Sequence, residues 1–236
     1  MLHIRIAPIL PLTLAMALAA NTGAAAEPAP GPATDLHTAL VSGKAHLEFR
    51  YRLESVDQEP FGSDATASTL RSRLNYQTGE LRGFSAFFEA DNVTVIGDED
   101  AYNSTVNGAV SRPVIADPEF TEVNQAYLQY KAGSFTGLLG RQRITLDNQR
   151  FVGNVGWRQN EQTFDAVTLK GKLLSKVQLQ YSFIGNVNRI TGPEEGAQAA
   201  NFHGAVQLLN GKAALGPYGA LAGFAYLLDL ENAPAL

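Results

Sequence analysis

Arginine recurs at alternate positions three times in this 236-residue chain, as Arg50 and Arg52, Arg71 and Arg73, and Arg141 and Arg143. A guanidinium stays charged throughout the physiological pH range and presents a planar fork of N–H donors that fits carboxylates and phosphates. A spacing of two puts both members of a pair on one face of an extended strand. Six such cations along one wall would attract anions and slow cations, because a narrow passage with low-dielectric walls focuses the field. The competing role is structural. Glu48, Glu54, Glu89 and Asp91 lie on the same set of faces, and cross-strand pairs with them would stiffen the wall. The two roles are compatible.

A second group falls in Asp147–Glu161, a stretch rich in Asn, Gln and Gly that holds Arg150, Trp157, Arg158, Gln159 and Asn160. Amide and guanidinium groups suit the hydroxyls and carboxylates of a sugar acid. Trp157, the only tryptophan, offers a face for stacking on a sugar or an anchor at a membrane interface. The stretch is expected to fold inward and narrow a pore.

Other chemistry is poorly supplied. The G-x-S-x-G elbow, the H-E-x-x-H pair and the phosphate loop are absent, and His46 has no serine-and-acid arrangement nearby. Cysteine is absent, which excludes disulfides and thiolate metal sites, and no cofactor is called for. Acidic groups such as Asp98-Glu99-Asp100 lack the spacing of a calcium loop and read as solvated. A formal net charge of −5 gives no support for a nucleic-acid partner.

The elements that must position these groups are strands. His46–Glu54 (HLEFRYRLE) alternates without a slip: Leu47, Phe49, Tyr51 and Leu53 on one face, Glu48, Arg50 and Arg52 on the other. Leu70–Thr78 and Val177–Phe183 repeat the pattern. Weaker versions are Phe84–Asp91, Val123–Tyr130, Leu138–Ile144, Phe202–Leu208 and Tyr218–Tyr226. Phe164–Lys170 also reads as a strand, with an inward face the letters leave open. The total is about nine strands with no long amphipathic helix.

Connection lengths alternate strictly. Short links at 79–83, 131–134, 171–176 and 209–217 separate long ones at 55–68, 92–119, 146–162 and 189–201. Up-and-down transmembrane barrels have this order, with short periplasmic turns at one rim and long external loops at the other. All six lysines fall at the short-turn rim: Lys44, Lys131, Lys170, Lys172, Lys176 and Lys212. The expectation is an all-β, antiparallel up-and-down transmembrane β-barrel. About nine strands of a larger barrel are present, since single-chain bacterial barrels have an even count. A soluble periplasmic cup that binds a ligand inside is the alternative, because alternation alone does not say which face is outside.

Residues 1–26 combine a basic start, a short apolar run and a small-residue cleavage site, which reads as a secretory signal. Residues 27–42 form a lead in which Asp35–Val41 is expected to make one helical turn, and 43–236 is the barrel portion.

The stretch Leu138–Ala166 (LLGRQRITLDNQRFVGNVGWRQNEQTFDA), with ADPEFTEVNQAYLQY at 116–130 and TLRSRL at 69–74, resembles the alginate-export family of outer-membrane barrel proteins. The resemblance covers about 45–230. It implies a bacterial outer-membrane barrel, surrounded by lipid and lipopolysaccharide, that passes anionic polysaccharide or small anionic solutes passively. Family members are considerably longer.

Overall fold

The computed structural model describes residues 33–173 and 176–233; the expected signal segment lies outside them. A short helix α1 (Leu36–Val41) opens the described chain, its first turn capped by the Asp35 carboxylate, which accepts from the Thr38 N–H. Nine strands follow: β1 (Lys44–Val56), β2 (Ala65–Gln77), β3 (Phe84–Val95), β4 (Phe120–Ala132), β5 (Phe135–Gln142), β6 (Thr163–Leu173), β7 (Val177–Asn188), β8 (Asn201–Ala214) and β9 (Ala220–Leu227). They form one sheet in sequence order, every neighbour pair antiparallel. Among the described residues, β1 and β9 each pair on one side only.

Register separates the faces. A slip of one residue would send every side chain to the opposite face, so a single register must hold if one face is apolar. In β1, Leu47, Phe49, Tyr51 and Leu53 are exposed, whereas the intervening Glu48, Arg50 and Arg52 are part-buried and Glu54 is buried. The exposed face continues through Phe88 on β3, which pairs with Ala126, and through Leu128, Leu139, Val167 and Phe183 on β4 to β7, which form one row by direct cross-strand pairing. At the short-turn ends of β3, β4 and β5, Phe84, Tyr130 and Phe135 are exposed, and the first two rings lie 4.5 Å apart. Such an apolar band edged by aromatic rings is what acyl chains and their interface require. Among the described residues no helix is long and apolar enough to cross a membrane, so a crossing by this part of the chain is made by strands.

Bulges adjust the inner face near the long-loop rim. The β3–β4 register shifts at Glu89/Ala90, so the consecutive residues Asn124 and Gln125 both turn inward and are buried. Further shifts occur at Asp165/Ala166 and Ile184/Asn186.

One expectation changes, and one open face is filled. The strand expected at Leu138–Ile144 ends at Gln142, and Ile144 belongs to the following loop. Strand β6 turns Phe164, Ala166, Thr168 and Lys170 inward: Phe164 and Ala166 join a buried apolar cluster, while Val167 and Leu169 are exposed.

Candidate functional site

The segment between β5 and β6, residues 143–162, folds onto the inner face of the sheet and spans it. Its two halves hold on by different chemistry. Ile144, Leu146 and Val152 pack with Phe164, Ala166, Ile184, Val206 and Leu208, making an apolar cluster inside the sheet against β6 to β8. Phe151 reaches Phe224 of β9 at 5.4 Å between ring centroids, and Arg150 lies over the Phe151 ring at 5.7 Å. This anchor escapes the sequence pattern because Ile144, Leu146 and Val152 stand among polar residues. The paired signal was Val206 and Leu208 on β8, two apolar residues on a face that elsewhere is polar.

The other half is polar and buried against β1 to β4. Gln159 is fully enclosed. Its amide N–H₂ donates to Thr69 Oγ1 at 2.8 Å, its side-chain oxygen accepts from Arg50 at 3.0 Å, and its backbone N–H donates to Asp117 at 2.9 Å. Asn160, also enclosed, donates to the Arg189 carbonyl at 3.2 Å. Glu161 is the hub. It pairs with Arg73 at 2.8 Å and with Arg143, and it accepts from Asn124 at 2.8 Å. Burial pushes the Glu161 carboxyl up, but the Arg143 hydrogen bond and the charges of Arg73 and Arg143 outweigh it and hold the group at about 2.

Each arginine singled out by its spacing has a definite partner. Arg71 is 3% exposed and pairs with Glu48; Arg73 is 7% exposed and grips Asp91 through two bonds of 2.7 and 2.6 Å. Arg52 and Arg158 share Glu54 and Asp117, at 3.1 Å for Arg52 to Asp117 and 3.0 Å for Arg158 to Glu54. Arg143 pairs with Glu161 and Glu89. Arg50 alone of these has no carboxylate in reach among the described residues, and donates instead to the Gly156 and Arg158 carbonyls. Trp157 is 58% exposed, with the guanidinium of Arg158 4.1 Å and that of Arg52 5.1 Å from its ring centroid.

Arg141 departs from the expected inward placement. It pairs across the ladder with Asp165 at 2.8 Å, in the row of Leu139 and Val167 on the outer face, where Asn186 and Asn188 also donate to Asp165. Alternation fixes Arg141 to the side of Leu139, which is 59% exposed, whereas Arg143 lies beyond the strand end and is free to turn inward. Gly140 permits the bend: its φ is +125°, and a Cβ there would sit 2.4 Å from the Ala126 carbonyl oxygen.

Asp117, Asn124 and Thr69, all fully buried here, were not marked by spacing. Asp117 comes from the long β3–β4 connection, and a contact so far away in sequence leaves no local trace. Toward the short-turn rim the inner face opens into a recess of about 390 Å³ lined by Gln125, Tyr127, Gln129, Lys131, Arg143 and Lys170, among others. Tyr127 stacks on Phe87 at 5.2 Å. Among the described residues no group of three or more His, Cys, Asp or Glu is placed to hold a metal ion.

Residues 44–189, which hold β1 to β7 and the loop across them, match the sequence profile described as alginate export. The chain belongs to the alginate export family. Like the family's other barrels, this alginate export family member resides in the bacterial outer membrane, and its strands are barrel strands. The crystal structure of Acinetobacter baumannii OccAB1 has a similar fold, with a TM-score of 0.63 at 12% identity over 83% of this chain. This chain spans about half the length of that protein, 46% of it. No curated protein matches the sequence.

Proposed function

We propose that the protein forms a passive outer-membrane channel for anionic solutes, sugar-acid polymers such as alginate among them, with the 143–162 loop as its narrowing. The observation that carries this is the loop itself: a polar, arginine-bearing segment latched across the inner face of a sheet whose outer face is apolar. Guanidinium N–H groups at the narrow stretch, together with Trp157 in reach of open space, provide contacts for carboxylates and hydroxyls. The family's description supports transport of a uronate polymer.

In planar bilayers the intact protein is expected to conduct and to favour chloride over potassium in reversal potential. Deleting 150–158 should raise single-channel conductance. An unchanged conductance would remove the loop from the permeation path, and a cation preference would end the anion reading.

A further inference from the structure

Anion attraction needs positive charge that is not already neutralised. On the wall formed by β1 to β4 the guanidinium groups of Arg52, Arg71, Arg73, Arg143 and Arg158 each meet a carboxylate within 4 Å. Paired in this way they stiffen the wall and hold the loop, and little of their field is left for a passing ion. The other half of the inner face is built differently. Among the described residues no lysine takes part in an ion pair; Lys170, Lys172 and Lys212 lie on this half, and Lys131 stands at its border on β4.

The register sets them in two rows. Lys131 of β4 faces Thr136 of β5, which faces Lys170 of β6, which faces Gln180 of β7. One pleat nearer the rim, Lys172 faces Gln178, which faces Lys212 of β8. Strand geometry puts Lys170 and Lys172 about 7 Å apart along β6, and Lys172 and Lys212 about 10 Å apart across two strand spacings. All four ammonium groups belong to exposed residues. They border two recesses of about 390 and 280 Å³ that share Thr136 and Lys170 and so run together. Cations alternate there with the Thr136 hydroxyl and the Gln178 and Gln180 amides, the mixture a chain of sugar acids presents in reverse: carboxylates for the ammonium groups, hydroxyls for the neutral polar groups.

We infer that Lys131, Lys170, Lys172 and Lys212, with the glutamines between them, form a binding subsite for the carboxylates of a sugar-acid chain at the short-turn mouth of the lumen. This rests on the channel reading and relocates its source of attraction from the arginines to the lysines. An ammonium group on a flexible stem is a mobile point charge, suited to handing a carboxylate onward.

The test uses the intact protein in detergent and a galacturonic acid trimer as probe, with an uncharged trisaccharide and sulfate as controls. Binding is read by calorimetry. The trimer should bind with an affinity that falls as salt rises, and K170Q/K172Q/K212Q should weaken it about tenfold or more, with K170R/K172R/K212R restoring most of it. Equal affinity in the glutamine variant overturns the inference, as does no binding by the unaltered protein, or sulfate or the uncharged sugar binding as tightly as the trimer. Single-channel conductance of the unaltered protein, recorded separately, reports on the channel reading: an unaltered protein that conducts but does not bind the trimer refutes the subsite alone.

Discussion

Glu161 carries the polar half of the loop. It is 3% exposed and meets Arg73, Arg143, Asn124 and Asn154 at once. Removing its charge would leave Arg73 to Asp91 and Arg143 to Glu89, and weakening a buried polar network in this way costs about 1 to 3 kcal/mol. The Arg141–Asp165 pair on the outer face is a contrast, since at 31% and 38% side-chain exposure it is worth at most about 1 kcal/mol. The expected outcome for Glu161→Gln is a lower unfolding midpoint in denaturant and faster proteolysis within 143–162. Acid should act the same way, with a definite sign. The folded carboxyl titrates near 2, below its usual value of 4.5, so its contribution is complete above about pH 4.5 and fades only as pH falls toward 2. Protease access to the loop should therefore be flat from neutral pH down to about 5 and rise below 4; a rise near neutrality would point to another group.

At the level of elements, the strands and the loop differ in how far the letters disclose them. Alternation is a local signal, and β1, β2 and β7 announce both their existence and their faces through it. Each proves longer than its clearest stretch, because ladders extend into less regular sequence such as Ala65–Thr69 once a neighbour supplies hydrogen bonds. Faces are misassigned where two apolar residues adjoin, as at Leu138-Leu139, since either could be the outer one. The loop's inward fold follows from its polar content, but its grip does not: Asp117, Thr69 and Val206 are far from it in sequence and meet it only in three dimensions. The apolar half makes a separate prediction. Burying Ile144 and Leu146 against Ile184 and Leu208 is worth about 1.5 to 3 kcal/mol per side chain. Ile144→Asp with Leu146→Asp should detach that half while the Glu161 latch holds. Single-channel records should then show frequent transitions to a second conductance level, and quiet records at the original level would show that the apolar cluster does not fix the loop.

For the molecule as a whole, the inner and outer faces solve opposite solvation problems within one sheet. Lipid offers no hydrogen bonds, so the backbone must satisfy itself through the ladders and the outward side chains must be apolar. The lumen accepts charge, yet much of what it holds is buried under the loop and paired. Neighbouring positions therefore tolerate very different substitutions. Val167 lies midway along β6 on the outer face, opposite Leu139 and Phe183, where an arginine would meet hydrocarbon at a cost of about 2 to 4 kcal/mol. Gln178 faces the lumen on β7, beside Lys172 and Lys212, where the same side chain stays wet. Unfolding of the intact protein by guanidinium in lipid vesicles should show Val167→Arg destabilised by that amount and Gln178→Arg within about 1 kcal/mol of the parent. The reverse order would mean that the apolar row faces something other than lipid. In that case the assignment of inside and outside, on which both the loop and the lysine site depend, would have to be exchanged.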